Sequence, residues 1–137
     1  MRILSYHTII EWSHAKTGIA GDRGLNFLTT SHDDDTDLGM TPLYRTQLYD
    51  KYTLREMIHN HPSGTPYPSG SFDRRDKDGN VTARTGEWGD VSFARYVRDS
   101  QKENDWGVPT FHIYVKGNKP YSGKYIEYGP NSLRSQY

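Results

Sequence analysis

Short apolar runs alternate with long polar connections along this chain. Ile3 to Trp12 is apolar enough to be buried, and its β-branched run Thr8-Ile9-Ile10 predicts a strand leading into Glu11. A helical stub is the alternative for the first few residues. Gly18 to Gly24 is a glycine-punctuated loop, and Leu25 to Thr30 reads as a strand. Asp33-Asp34-Asp35 begins an acidic loop, and Thr41 to Tyr52, rich in Tyr and Thr, fits no single period. Thr53 to His61 predicts a strand that Pro62 ends. Pro66, Pro68, Gly64 and Gly70 make Ser63 to Gly70 an irregular loop. Phe72 to Gly89 reads as an insertion, with Asp78-Gly79 as a tight turn and Asn80 to Ala83 as the return arm of a hairpin.

Asp90 opens the clearest helix. Val91, Ala94 and Val97 recur on one face, and Phe93 precedes Val97 by one turn. Asp90 suits the N-cap, and the helix fades by Asn104-Asp105. Thr110 to Val115 alternates as a strand. Lys119 to Tyr128 is a final Tyr-rich strand or hairpin, and the end is expected to fray. This mixture predicts one α+β (mixed α/β) domain over residues 1–137, with a hairpin insertion at 71–89.

Composition narrows the function classes. Only 33% of residues are hydrophobic, so the core is lean, and 11 Tyr, 4 Phe and 3 Trp must supply much of its area. The 17 basic and 17 acidic residues balance, which excludes a global field for nucleic acid or an acidic membrane. Cysteine is absent, so any metal must take His, carboxylate and water. No signal peptide or membrane-length apolar run is visible, and localisation stays open.

His59 and His61 carry the candidate chemistry. Residues two apart in a strand share a face, with Cα atoms roughly 6.6 Å apart. Two imidazoles so placed can converge on one ion, and a catalytic zinc wants a third protein ligand and an open position. Such a pair alone is more often a surface coincidence. Glu11, in Ile9-Ile10-Glu11-Trp12-Ser13, is a carboxylate in an apolar setting, which is costly without a task or partner. Glu56 is its alternative, but the strand period puts it on the face away from the imidazoles. The letters His-Asn-His do not make an HNH nuclease, which spreads its residues over a ββα finger. Asp76 to Asn80 lacks the calcium-loop register, since Arg74 stands where an Asp is needed.

The string His59-Asn60-His61-Pro62, then Pro68-Ser69, then an Asp at a helix start, resembles the JAB/JAMM (MPN) metallopeptidase family. Glu11-Trp12-Ser13, Thr30-Ser31-His32, Thr65-Pro66-Tyr67-Pro68-Ser69-Gly70 and Gly89-Asp90-Val91-Ser92-Phe93-Ala94 add a closer resemblance. It is to the JAB-like toxin domains at the C-termini of bacterial polymorphic toxins. The resemblance implies a central, mostly antiparallel sheet flanked by helices, of the JAB/MPN (cytidine deaminase-like) type. It implies Zn2+ held by His59, His61 and an Asp, with Glu11 as general base and Ser69 assisting the oxyanion. The family's Ser-X-X-Asp spacing lands on Phe72. Asp73 is one residue late, and Asp90, which starts the helix, is preferred as the third ligand. The implied activity is cleavage of peptide or isopeptide bonds, with a ubiquitin-like conjugate among the candidate substrates and an immunity protein as partner. The rival reading is a catalytically inactive JAB-like module that only binds a partner. The resemblance also implies that the chain is the C-terminal piece of a larger toxin.

Overall fold

The computed structural model describes residues 1–18, 24–32, 37–48, 53–85, 89–132 and 136–137, with the backbone alone for 71–75 and 81–85. The expected loop at Gly18 to Gly24 and the acidic loop at Asp33 fall largely outside these residues.

The N-terminal stub is helical: α1 spans Arg2–His7. Thr8 closes it, its amide and its hydroxyl both donating to the Leu4 carbonyl, at 3.0 and 2.9 Å. The expected strand through Thr8-Ile9-Ile10 does not form, and Ile3 and Ile9 are 67% and 78% exposed. Strand β1 begins only at Ser13 and runs Ser13–Thr17. The reason lies in the partner. Opposite residues 10–12 the central strand is ending, and its last residue, Asn60, holds them through its side chain as well as its backbone.

Strand β2 (Asn26–Thr29) pairs antiparallel with β1. Helix α2 (Met40–Leu43) continues into a π-helical turn at Tyr44–Leu48, which resolves the ambiguous segment as helical as far as it is described. Strand β3 (Leu54–Asn60) follows, then a hairpin of β4 (Ser71–Arg75) and β5 (Val81–Thr85). Its loop is longer than a two-residue turn. Gly79, at φ +82°, donates to the Asp76 carbonyl, and the Asp76 carboxylate accepts from the Asp78 and Asn80 amides. Asp76 is thus occupied by its own turn. Helix α3 spans Asp90–Glu103, and β6 (Thr110–Lys116) and β7 (Gly123–Tyr128) complete the chain.

Five strands form one sheet in the order β2-β1-β3-β6-β7. All neighbours are antiparallel except β3 and β6, which the α3 crossover makes parallel. The fold is therefore α+β, a mixed and mostly antiparallel sheet with three helices among the described residues. Helix α3 buries Val91, Ala94 and Val97. Ala94 and Val97 join a core of Ala15, Met57, Phe111, Ile113, Tyr44 and Tyr128 on one face of the sheet. Among the described residues, no helix is long and apolar enough to cross a membrane.

Two ties fix α3 against β3. At its far end, buried Gln101 accepts from the Leu54 amide at 2.7 Å and donates to the Leu54 carbonyl at 2.9 Å. At its near end the loop residue Ser69 holds the first turn. The C-terminus does not simply fray: the Tyr137 hydroxyl meets Ser132 Oγ at 2.8 Å, and its ring packs on the core.

Candidate metal centre

Period-two alternation puts His59 on the α3 face of the sheet, opposite Ser13 in register. His61 lies just past the strand end and turns its ring onto the same side. Their Nε2 atoms are 3.0 Å apart. Asp90 Oδ2 is 3.3 Å from His59 Nε2 and 3.5 Å from His61 Nε2. These three donors form a cluster able to hold a metal ion.

The donor set fits a metal in its dimensions. A tetrahedral ion with ligand bonds of about 2.0–2.1 Å separates its ligands by roughly 3.3–3.4 Å. The three observed edges scatter around that value. His61 is also held in the right tautomer: its Nδ1 is 2.9 Å from the Thr65 carbonyl, which can only accept. Nδ1 therefore carries the proton, and Nε2 presents its lone pair to the cluster. His59 lacks this support, its Nδ1 having no hydrogen-bond partner among the described residues.

Asp90 departs from its expected place by one position. Gly89 is the N-cap, and Asp90 is the first helical residue. Ser69 explains the shift. Its Oγ accepts from the Asp90 amide at 2.9 Å and its carbonyl accepts from the Val91 amide at 3.2 Å. In return the Ser69 amide donates to Asp90 Oδ2 at 2.7 Å. A residue far back in the sequence thus satisfies the orphan donors of the first turn. Gly89 permits this approach. Its φ is +91°, and a Cβ there would stand 2.8 Å from Ser69 Oγ.

Charge in the site is strongly coupled. Burial would raise the Asp90 pKa, but His59 and His61 outweigh it and hold the carboxyl well below the usual carboxylate range. Burial would lower that of His59, yet the charge and hydrogen bond of Asp90 carry it upward. Glu11 behaves differently. It is 8% exposed. Burial, with smaller contributions from Asp90 and Asp37, pushes its pKa up to about 7, against the opposing pull of His59 and His61.

Glu11, His61, Ser69 and Asp90 line a cleft of about 280 Å³ that runs on to Leu38, Met40, Met57 and Phe93. A second, shallower space of about 170 Å³ shares Glu11, His61 and Ser69 and continues along Pro62, Thr65 and Tyr67. The structure thus brings Glu11, His59, His61, Ser69 and Asp90 together. Asp73 is in β4, its backbone paired with Ala83, and its side chain lies outside the described residues. Glu56 takes the other face, 2.6 Å from Lys16 Nζ and 3.3 Å from His112 Nδ1.

Sequence reasoning missed two contributors. The Thr65 carbonyl is a main-chain group and has no sequence signature. Asn60 had one, since a polar residue ending the central strand must find partners when buried.

A mixed sheet with a His-His-Asp cluster at the end of its central strand, beside a buried glutamate, makes this an α+β domain with a candidate metal centre. The family model for JAB-like toxin 1 matches residues 3–95, more than half of the chain, and the chain belongs to that family. No curated protein and no solved structure matches it closely enough to add a relative.

Proposed function

We propose that this domain is a zinc-dependent hydrolase of peptide or isopeptide bonds, acting as the effector of a polymorphic toxin. The observation that carries the reading is the His59-His61-Asp90 triangle, with edges of 3.0, 3.3 and 3.5 Å, two of whose members, His61 and Asp90, line a cleft with Glu11. Membership of the JAB-like toxin 1 family supports the effector role.

Zinc bound to His59, His61 and Asp90 would supply a Lewis acid that polarises a carbonyl and acidifies water. The chain's own residues supply the rest. Glu11, buried beside the cluster, is poised to take a proton from the attacking water and return it to the departing amine. Ser69 Oγ accepts from the Asp90 amide, which leaves its own proton to donate. Aimed into the cleft, that proton would stabilise charge developing on the carbonyl oxygen. The two spaces meet at Glu11, His61 and Ser69, which suits a substrate chain that continues on both sides of the cleaved bond. We take its class to be a protein or peptide, with a ubiquitin-like conjugate as one candidate. An immunity protein is the partner that this role requires.

The test uses purified protein, zinc, and a panel of internally quenched peptides and Nε-acylated lysine peptides. Wild type should bind one zinc and cleave members of the panel. Glu11→Gln should keep the zinc and lose cleavage, and cleavage at the wild-type rate would sink the general-base role. Asp90→Ala should lose tight zinc binding while Asp73→Ala keeps it, and the reverse would move the third ligand. Protein that takes up no zinc when it is offered would instead be the inactive binding module.

A further inference from the structure

Glu11 precedes β1 and has no ladder partner of its own, yet its place beside the cluster must be fixed. Asn60, between the two histidines, spans it from below. The Asn60 amide donates through Nδ2 to the Ile10 carbonyl at 3.2 Å. Its Oδ1 accepts from the Trp12 amide at 2.9 Å, and its own backbone amide donates to the Trp12 carbonyl at 3.2 Å. These three bonds bracket Glu11 on both sides. A fourth comes from the front, where Thr30 Oγ1 donates to the Glu11 carbonyl at 2.7 Å. Asn60 is 2% exposed, so water cannot replace these partners.

The alternation of the strand gives this arrangement its consequence. His59 and His61 point to the cluster, and Asn60 points away from it. Ser13 pairs with His59, so continuing the register by two residues sets Glu11 beside His61. One dipeptide step of β3 thus serves both sides of the sheet: the imidazoles toward the ion, and the amide toward the backbone that carries the carboxylate. An apolar residue at 60 would leave the histidines in place and remove the side-chain bonds to the Ile10 carbonyl and the Trp12 amide.

We infer that Asn60, with Thr30, is the positioning residue of this site, a splint that fixes the backbone of Glu11 relative to the metal ligands. The inference rests on the peptidase reading for its effect on turnover, but not for the contact itself.

The experiment compares wild type with Asn60→Leu, which has nearly the same shape and no amide. Hydrogen exchange followed by NMR on the zinc-loaded protein should find the Trp12 amide protected in wild type and exposed in the variant. The Ala15 and Met57 amides should stay protected in both. Zinc affinity should not change. On the peptide panel kcat should fall about a hundredfold, the scale of a misplaced catalytic group, with KM held. Should Asn60→Leu not fold, Thr30→Val removes the front bond and should lower kcat in the same way. A Trp12 amide that exchanges freely in wild type overturns the splint. So does a variant with unchanged kcat, or one whose kcat falls only in step with lost zinc or lost fold. Wild type that binds zinc and cleaves no probe overturns the peptidase reading instead, and the splint then stands or falls on the exchange pattern.

Discussion

Glu11 should cost the protein stability, and the cost has a definite pH window. In the metal-free fold burial raises its pKa from 4.5 to about 7. Between those values the folded state keeps a proton that the unfolded chain has released, so stability falls as pH rises. Below about 4.5 both states hold the proton and nothing is lost. Above about 7 the whole cost is present. At about 1.4 kcal/mol per pH unit, the displacement amounts to about 3 kcal/mol. Glu11→Gln mimics the protonated acid and does not titrate. It should match wild type near pH 4.5 and exceed it by up to about 3 kcal/mol near pH 8. The difference between the two proteins reports the burial of Glu11 together with its coupling to His59 and Asp90. The assay is urea unfolding in the presence of a chelator at the two pH values. Zinc would favour the Glu11 carboxylate, so repeating the measurement with zinc should shrink the gap. A difference independent of pH, or a variant less stable than wild type near pH 8, would refute the argument that burial dominates at Glu11. The confirmed result would also mark Glu11 as a group kept for function at the expense of the fold.

Two further substitutions probe how the cluster is held. Gly89→Ala forces a side chain onto a φ of +91° and within 2.8 Å of Ser69 Oγ. It should cost about 1–3 kcal/mol in urea unfolding, and because the displacement falls on the Ser69-Asp90 pair it should weaken zinc binding in a calorimetric titration. Gln101→Leu leaves the Leu54 amide and carbonyl without their side-chain partner. It should cost about 1–3 kcal/mol by the same unfolding assay, with zinc affinity little changed because the near end of α3 keeps its tie to Ser69.

Much of the fold was legible because its main elements carry their period on the surface of the sequence. Strand β3 falls within the segment that Pro62 ends, and helix α3 falls where the Val91-Ala94-Val97 stripe puts it. The N-terminal strand was not legible. Thr8-Ile9-Ile10 has strand propensity, but propensity is a weak term where no neighbour offers a ladder. The central strand stops at Asn60, so Ile9 stays in solvent and pairing starts at Ser13. The C-terminal end differed for a similar reason. The hydroxyl and ring of Tyr137 find partners that no local pattern announces.

The third carboxylate shows why spacing alone could not decide the site. An aspartate at a helix start is ordinarily consumed as the cap, and a capping carboxylate cannot also face two imidazoles. The fold divides the work. Gly89 occupies the cap position, and Ser69 reaches across from the loop to take the amides of Asp90 and Val91. Released from capping, the Asp90 carboxylate turns to His59 and His61, held there by the Ser69 amide. The distance in sequence between Ser69 and Asp90 is therefore immaterial. The β4–β5 hairpin fills the interval and returns the chain to the same serine. A reading by spacing favours Asp73, whereas a reading by capping geometry selects Asp90. The serine and the aspartate have to be adjacent in space because each satisfies the backbone of the other.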